Sequence, residues 1–107
     1  MRTLIPAIAV VLLAACAPDS IRRDREFETW LGEVRQACER ARIGTTTVGG
    51  LLNSTGSREG NNFLNFTSRL YAGQIDAETW TNNVVSFLRG RSTDPGVQCV
   101  LERVPKR

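Results

Sequence analysis

Phe63 to Gly90 reads FLNFTSRLYAGQIDAETWTNNVVSFLRG. Phe63, Phe66 and Leu70 recur at helical spacing, with Leu64 and Tyr71 widening the same stripe. Gly73 offers a stop. Asp76 then opens a second helix as its N-cap, and Glu78 lies near the positive end of that helix dipole. Ile75 and Trp80 hold the two positions of a hydrophobic staple around the cap. Trp80, Val84, Phe87 and Leu88 form the buried face, and Gly90 closes the helix. Two helices joined by so short a turn read as an antiparallel αα-hairpin.

Upstream, Phe27, Trp30, Leu31, Val34, Cys38 and Ala41 lie three and four residues apart, which predicts a first helix over 27–43. Asp19 or Ser20 could cap its start, and Gly44 sits where a left-handed cap would end it. Trp30 and Trp80 both fall on apolar stripes, so they read as core residues rather than exposed anchors for a partner. Between Gly44 and Asn62 the composition changes to five Gly, four Thr, two Ser and three Asn in nineteen residues. Val48, Leu51 and Leu52 could form a short docked turn there. Gly49-Gly50 opposes a stable helix by about 2 kcal/mol in propensity. The stretch reads as a mobile binding loop or a poorly ordered connector.

Downstream, Asp94-Pro95 is a cap followed by proline at the first helical position. Val97, Val100, Leu101 and Val104 then give a short fourth helix, with an extended strand as the other reading. Two turns would not survive alone. Pro105 ends the segment before Lys106 and Arg107. The expected fold is all-α: a small bundle of three main helices plus a short carboxyl-terminal helix, closed by one disulfide. Residues 27–107 make up this single domain.

The first residues serve another purpose. Arg2 is followed by an uncharged, mostly apolar run from Leu4 to Ala15, too short to span a bilayer, which takes about twenty apolar residues. Its length and basic flank fit an export signal. Leu13-Ala14-Ala15-Cys16 resembles the lipobox of bacterial lipoproteins, with Leu three positions before the cysteine and small residues between. That resemblance covers about sixteen residues. It implies a signal peptide over 1–15, lipid attachment to the Cys16 sulfur, and an anchor and tether over 16–26. In enterobacterial lipoproteins an Asp directly after the lipidated cysteine favours inner-membrane retention. Ala17 stands there in this chain, so the resemblance implies the periplasmic face of the outer membrane.

With Cys16 assigned to lipid, Cys38 and Cys99 remain as an even pair in an oxidising compartment. Two free buried thiols would be the plainer alternative. A zinc site is not expected from two sulfurs in a chain without histidine, and no metal or other cofactor is implied.

Charge and composition narrow the function. The 107-residue chain has 14 basic and 11 acidic residues; cleavage before Cys16 removes Arg2 and leaves 92 residues with 13 basic against 11 acidic. That balance is too weak to suggest nucleic acid. The lack of His removes the commonest general base and metal ligand. Asp24, Glu26, Glu28, Glu33 and Glu39 read as solvated carboxylates on one helix face. The glycines at 49, 50, 56 and 60 do not form a phosphate loop, because the only Lys is Lys106 and no strand precedes them. Asn53-Ser54-Thr55 and Asn65-Phe66-Thr67 match the glycosylation pattern by chance. No catalytic residue and no small-molecule substrate is expected.

What remains is an interaction role. Arg22, Arg23 and Arg25 follow closely on the anchor and could rest the first helix against an anionic leaflet, each gaining about 1 kcal/mol. The ordinary reading is a solvated helix face, with Arg22 and Glu26 paired at i, i+4. The leading expectation is a lipid-anchored accessory subunit with a protein partner in a secretion, conjugation or outer-membrane assembly. The alternative is an inhibitor or immunity protein against a periplasmic toxin or wall hydrolase, with the 44–62 stretch as its inserting segment.

Overall fold

The computed structural model describes residues 25–54 and 56–106, which form one mostly helical domain. Its elements are α1 (Arg25–Cys38), β1 (Arg42–Ile43), β2 (Thr46–Thr47), α2 (Val48–Asn53), α3 (Arg58–Tyr71), α4 (Ala77–Leu88) and α5 (Pro95–Leu101). The apolar stripe read from the sequence is the buried face of α1: Phe27, Trp30, Leu31, Val34 and Cys38. Glu26 and Glu28 lie in its first turn and Arg35 in its last, each at the helix end whose partial charge it complements.

This helix stops at Cys38, five residues before the expected end. The Glu39 and Ala41 carbonyls accept hydrogen bonds from the Gly49 and Val48 N–H groups at the start of α2, at 3.0 and 2.9 Å. Those carbonyls are therefore committed to a neighbour and not to another turn of α1. Arg42 and Ile43 instead pair antiparallel with Thr47 and Thr46. Gly44 does take a left-handed conformation (φ +63°), but as the first residue of the hairpin turn. Ile43 is fully buried.

The glycine-rich stretch is folded. Thr47 Oγ1 caps α2 by accepting from Gly50 N–H at 3.0 Å, and Val48, Leu51 and Leu52 join the single core. Burying each of these side chains stabilises by about 1.5–3 kcal/mol, which outweighs the propensity cost of Gly49-Gly50. Gly49 is needed as glycine, since a Cβ there would lie 2.8 Å from the Glu39 carbonyl oxygen. A turn follows, and α3 starts at Arg58, capped by Ser57 Oγ accepting from Gly60 N–H at 3.0 Å.

The helical hairpin forms as read. Gly73 (φ +78°) and Gln74 donate backbone hydrogen bonds to Leu70 and Arg69, the paired bonds of a Schellman stop. Asp76 Oδ1 accepts from Thr79 N–H at 2.8 Å and caps α4. Trp80 is fully buried, and its indole N–H donates to Thr67 Oγ1 on α3 at 3.1 Å. Phe63 packs edge-on against that indole. Phe66 and Phe87 stack with ring centres 5.9 Å apart and remain half-buried. At the far end of α4 the left-handed residue is Arg89 (φ +57°), not Gly90. Gly90 instead lies against the hairpin, where a Cβ would come 3.0 Å from both Gly44 N and Ile43 Cγ2.

Helix α5 buries Val97 and Val100. Cys99 on α5 is bonded to Cys38 at the end of α1, with their Cα atoms 5.9 Å apart. Around the core, α1 packs on α2 and α5, α2 on α3, α3 on α4, and α5 on β1.

Replacing Thr67 with Val removes the acceptor of the buried Trp80 N–H while keeping the volume. It should destabilise the domain by about 1–3 kcal/mol, measured by urea unfolding. An unchanged midpoint would show that the pair contributes nothing.

Candidate interaction surface at the amino-terminal end of the bundle

The two ends of α1 are built differently. At its carboxyl end the disulfide, the hairpin and the start of α5 form a tightly bonded pole. Asp94 holds it together in an unexpected way. The residue occupies the N-cap position of α5, but its side chain makes no capping bond to that helix. Its Oδ2 accepts from Gly44 N–H at 2.8 Å and from Arg91 N–H at 3.0 Å, tying the hairpin turn to the α4–α5 connection. These two donors, the Gly44 N–H foremost, hold the Asp94 carboxyl below the usual carboxylate range. Asp76 is shifted the same way by the Thr79 N–H and hydroxyl.

At the amino end of α1 an aromatic cluster takes over. Tyr71, at the end of α3, lies 5.4 Å from the Phe27 ring and 4.9 Å from the Trp30 ring between centres. The Trp30 indole N–H donates to the Arg103 carbonyl at 2.6 Å, so the segment after α5 is fastened across the start of α1. Pro105, in that segment, separates two open grooves. One, of about 390 Å³, is lined by Leu70, Gly73, Ile75, Leu101 and Val104 among others. The other, of about 430 Å³, is lined by Arg25, Glu26, Thr29, Trp30, Glu33 and Tyr71. Tyr71, Ile75, Leu101 and Val104 are half-buried and Pro105 is exposed. A third hollow lies between α4 and α5, where Thr81, Asn82, Ser92, Thr93 and Gln98 meet.

The structure brings together one pair of the residues singled out from the sequence, Cys38 and Cys99. Arg25 is the first residue of α1, exposed at the rim of the second groove. Cys16, Arg22 and Arg23 lie outside the described residues. Trp30 and Trp80 are core residues, 6% and 0% exposed. The two grooves went unpredicted because they draw at once on three stretches far apart in sequence, 25–33, 70–77 and 101–105. No local pattern announces such a surface. Among the described residues, no group of three or more His, Cys, Asp or Glu is placed to hold a metal ion, and no helix is long and apolar enough to cross a membrane.

The Asp94 clamp predicts an acid-sensitive hairpin. Because the folded carboxyl titrates below its unfolded value near 3.8, its contribution is present above that pH. It is lost as pH falls through the folded value. Urea midpoints of the wild type should therefore hold from pH 6 to about pH 5 and drop below it, and Asp94→Asn should be less stable at pH 6 with a shallower decline. Parallel curves for the two proteins would remove the clamp from the account.

The chain matches no protein-family model, no curated protein and no solved structure.

Proposed function

We propose that this protein is a lipid-anchored interaction module of the bacterial cell envelope, an accessory subunit of a secretion, conjugation or outer-membrane assembly. The observation that carries the reading is the sorting of the three cysteines. Cys38 and Cys99 are consumed by each other in the fold, which leaves Cys16 alone directly after an apolar run and the small residues Ala14 and Ala15. A disulfide also fits an exported protein better than a cytosolic one. On this reading Cys16 carries the acyl chains. One chain gives marginal binding, at about 0.8 kcal/mol per buried methylene, whereas two or more on one residue anchor the protein stably. Ala17 after the cysteine favours the outer membrane.

The reading as a non-enzymatic binder rests on the sequence, which lacks His and whose acids alternate with arginines along the first helix. Its partners are the membrane, through the anchor, and an envelope protein. The inhibitor reading needs a segment that protrudes, and the stretch that would have supplied one is folded as the β1–β2 hairpin and α2 with Val48, Leu51 and Leu52 in the core. The accessory-subunit reading, which uses helix faces and grooves, is therefore the better supported.

Palmitate labelling in a bacterial host tests the anchor. The wild type should incorporate label and fractionate with membranes, while Cys16→Ser should do neither. Equal labelling of the two would end this reading.

A further inference from the structure

Resting on the lipid-anchor reading, we propose that the protein stands end-on to the bilayer. The surface formed by Tyr71, Ile75, Val104 and Pro105 would face the phospholipid boundary that holds the acyl chains of Cys16.

The first argument is reach. Eight residues separate Cys16 from Arg25, and an extended chain spans at most about 3.6 Å per residue, so the start of α1 lies within about 32 Å of the anchor. The chain joins the domain at Arg25, which itself lines the second groove, so this is the end the tether is attached to. The disulfide pole lies a helix length further on, about 20 Å for fourteen residues at 1.5 Å each.

The second argument is the chemistry of the face along α1 compared with that of the end of the bundle. Lying along α1 would press the exposed Glu28, Arg35, Glu39 and Arg40 against headgroups, in addition to the Arg25, Glu26 and Glu33 that the end of the bundle also presents. Such an alternating face gains nothing from an anionic surface and offers no apolar contact. The end of the bundle differs. Ile75, Val104 and Pro105 give partly exposed apolar surface around the two grooves, and the half-buried Tyr71 is an amphipathic ring of the kind that settles at the headgroup level. Of the charges at this end, Glu26, Glu33 and Asp76 line the grooves, opposed by Arg25 at the rim and by Lys106 directly after Pro105. The net charge is small. The contact is therefore apolar in origin, and neither raised salt nor a change from anionic to zwitterionic lipid should abolish it.

Hydrogen exchange on the lipidated wild type in phosphatidylcholine vesicles, compared with the soluble Cys16→Ser protein, tests the orientation. Backbone amides of 71–77 and 103–106 should exchange several-fold more slowly on vesicles, at low and high salt alike. Amides of the hairpin and of α2 should be unchanged. A companion Ile75→Asp protein, still lipidated, should float with vesicles and lose most of that protection. If the wild type floats but 71–77 and 103–106 exchange as in the soluble protein, the orientation is overturned and the anchor stands. If the wild type fails to float, the anchor reading falls and the orientation falls with it. Slowing of the same amides in concentrated Cys16→Ser protein without vesicles would assign the surface to a second copy and overturn the proposal.

Discussion

The bond between Cys38 and Cys99 closes a loop of 61 residues, and the order of everything at that pole follows from it. Helix α5 has seven residues, too few to persist as an isolated helix. Held against the end of α1, it delivers Val97 and Val100 to the core and places Asp94 opposite the Gly44 N–H. The hairpin turn is thereby fixed against the end of α4, where Gly90 leaves room for it. With the hairpin in place, the carbonyls after α1 meet the first turn of α2. In the chain-entropy picture a bridge of this span contributes about 4 kcal/mol, a large share of the stability available to so small a domain.

The two ends of α1 accordingly differ in kind. One end is cross-linked by a covalent bond, a shared carboxylate and a two-stranded hairpin, and its glycines are filled in by neighbouring backbone. The other is joined by aromatic packing and by the indole hydrogen bond of Trp30 to the Arg103 carbonyl, and it leaves open grooves on both sides of Pro105. Rigid closure at one end frees the other to present a surface. The described chain begins at this open end, with Arg25 at the rim of the second groove.

Legibility in the sequence followed the length of each element. Helices α1, α3 and α4 announce themselves by apolar residues at threes and fours, and Asp76 and Gly73 mark the turn between α3 and α4 in advance. The hairpin was not legible, since two-residue strands show no alternation and Gly44 suits a helix cap as well as a turn. Helix α2 was misjudged because propensity is local, whereas the burial of Leu51 and Leu52 and the close approach of Gly49 to Glu39 are tertiary. Asp94 has the spelling of a cap, but Gly44 and Arg91 supply better-placed donors. The cysteine pair could be read by elimination. The grooves could not, being assembled from three stretches far apart in the chain.

The dependence on the bridge is open to direct measurement. Equilibrium unfolding of the protein should be compared in its oxidised form and as the Cys38→Ser/Cys99→Ser double variant. A loss of about 4 kcal/mol in the variant, with the hairpin amides losing exchange protection before those of α3 and α4, is the result expected of a pole organised by that bond. Superimposable unfolding curves, with the hairpin equally protected in both, would contradict it.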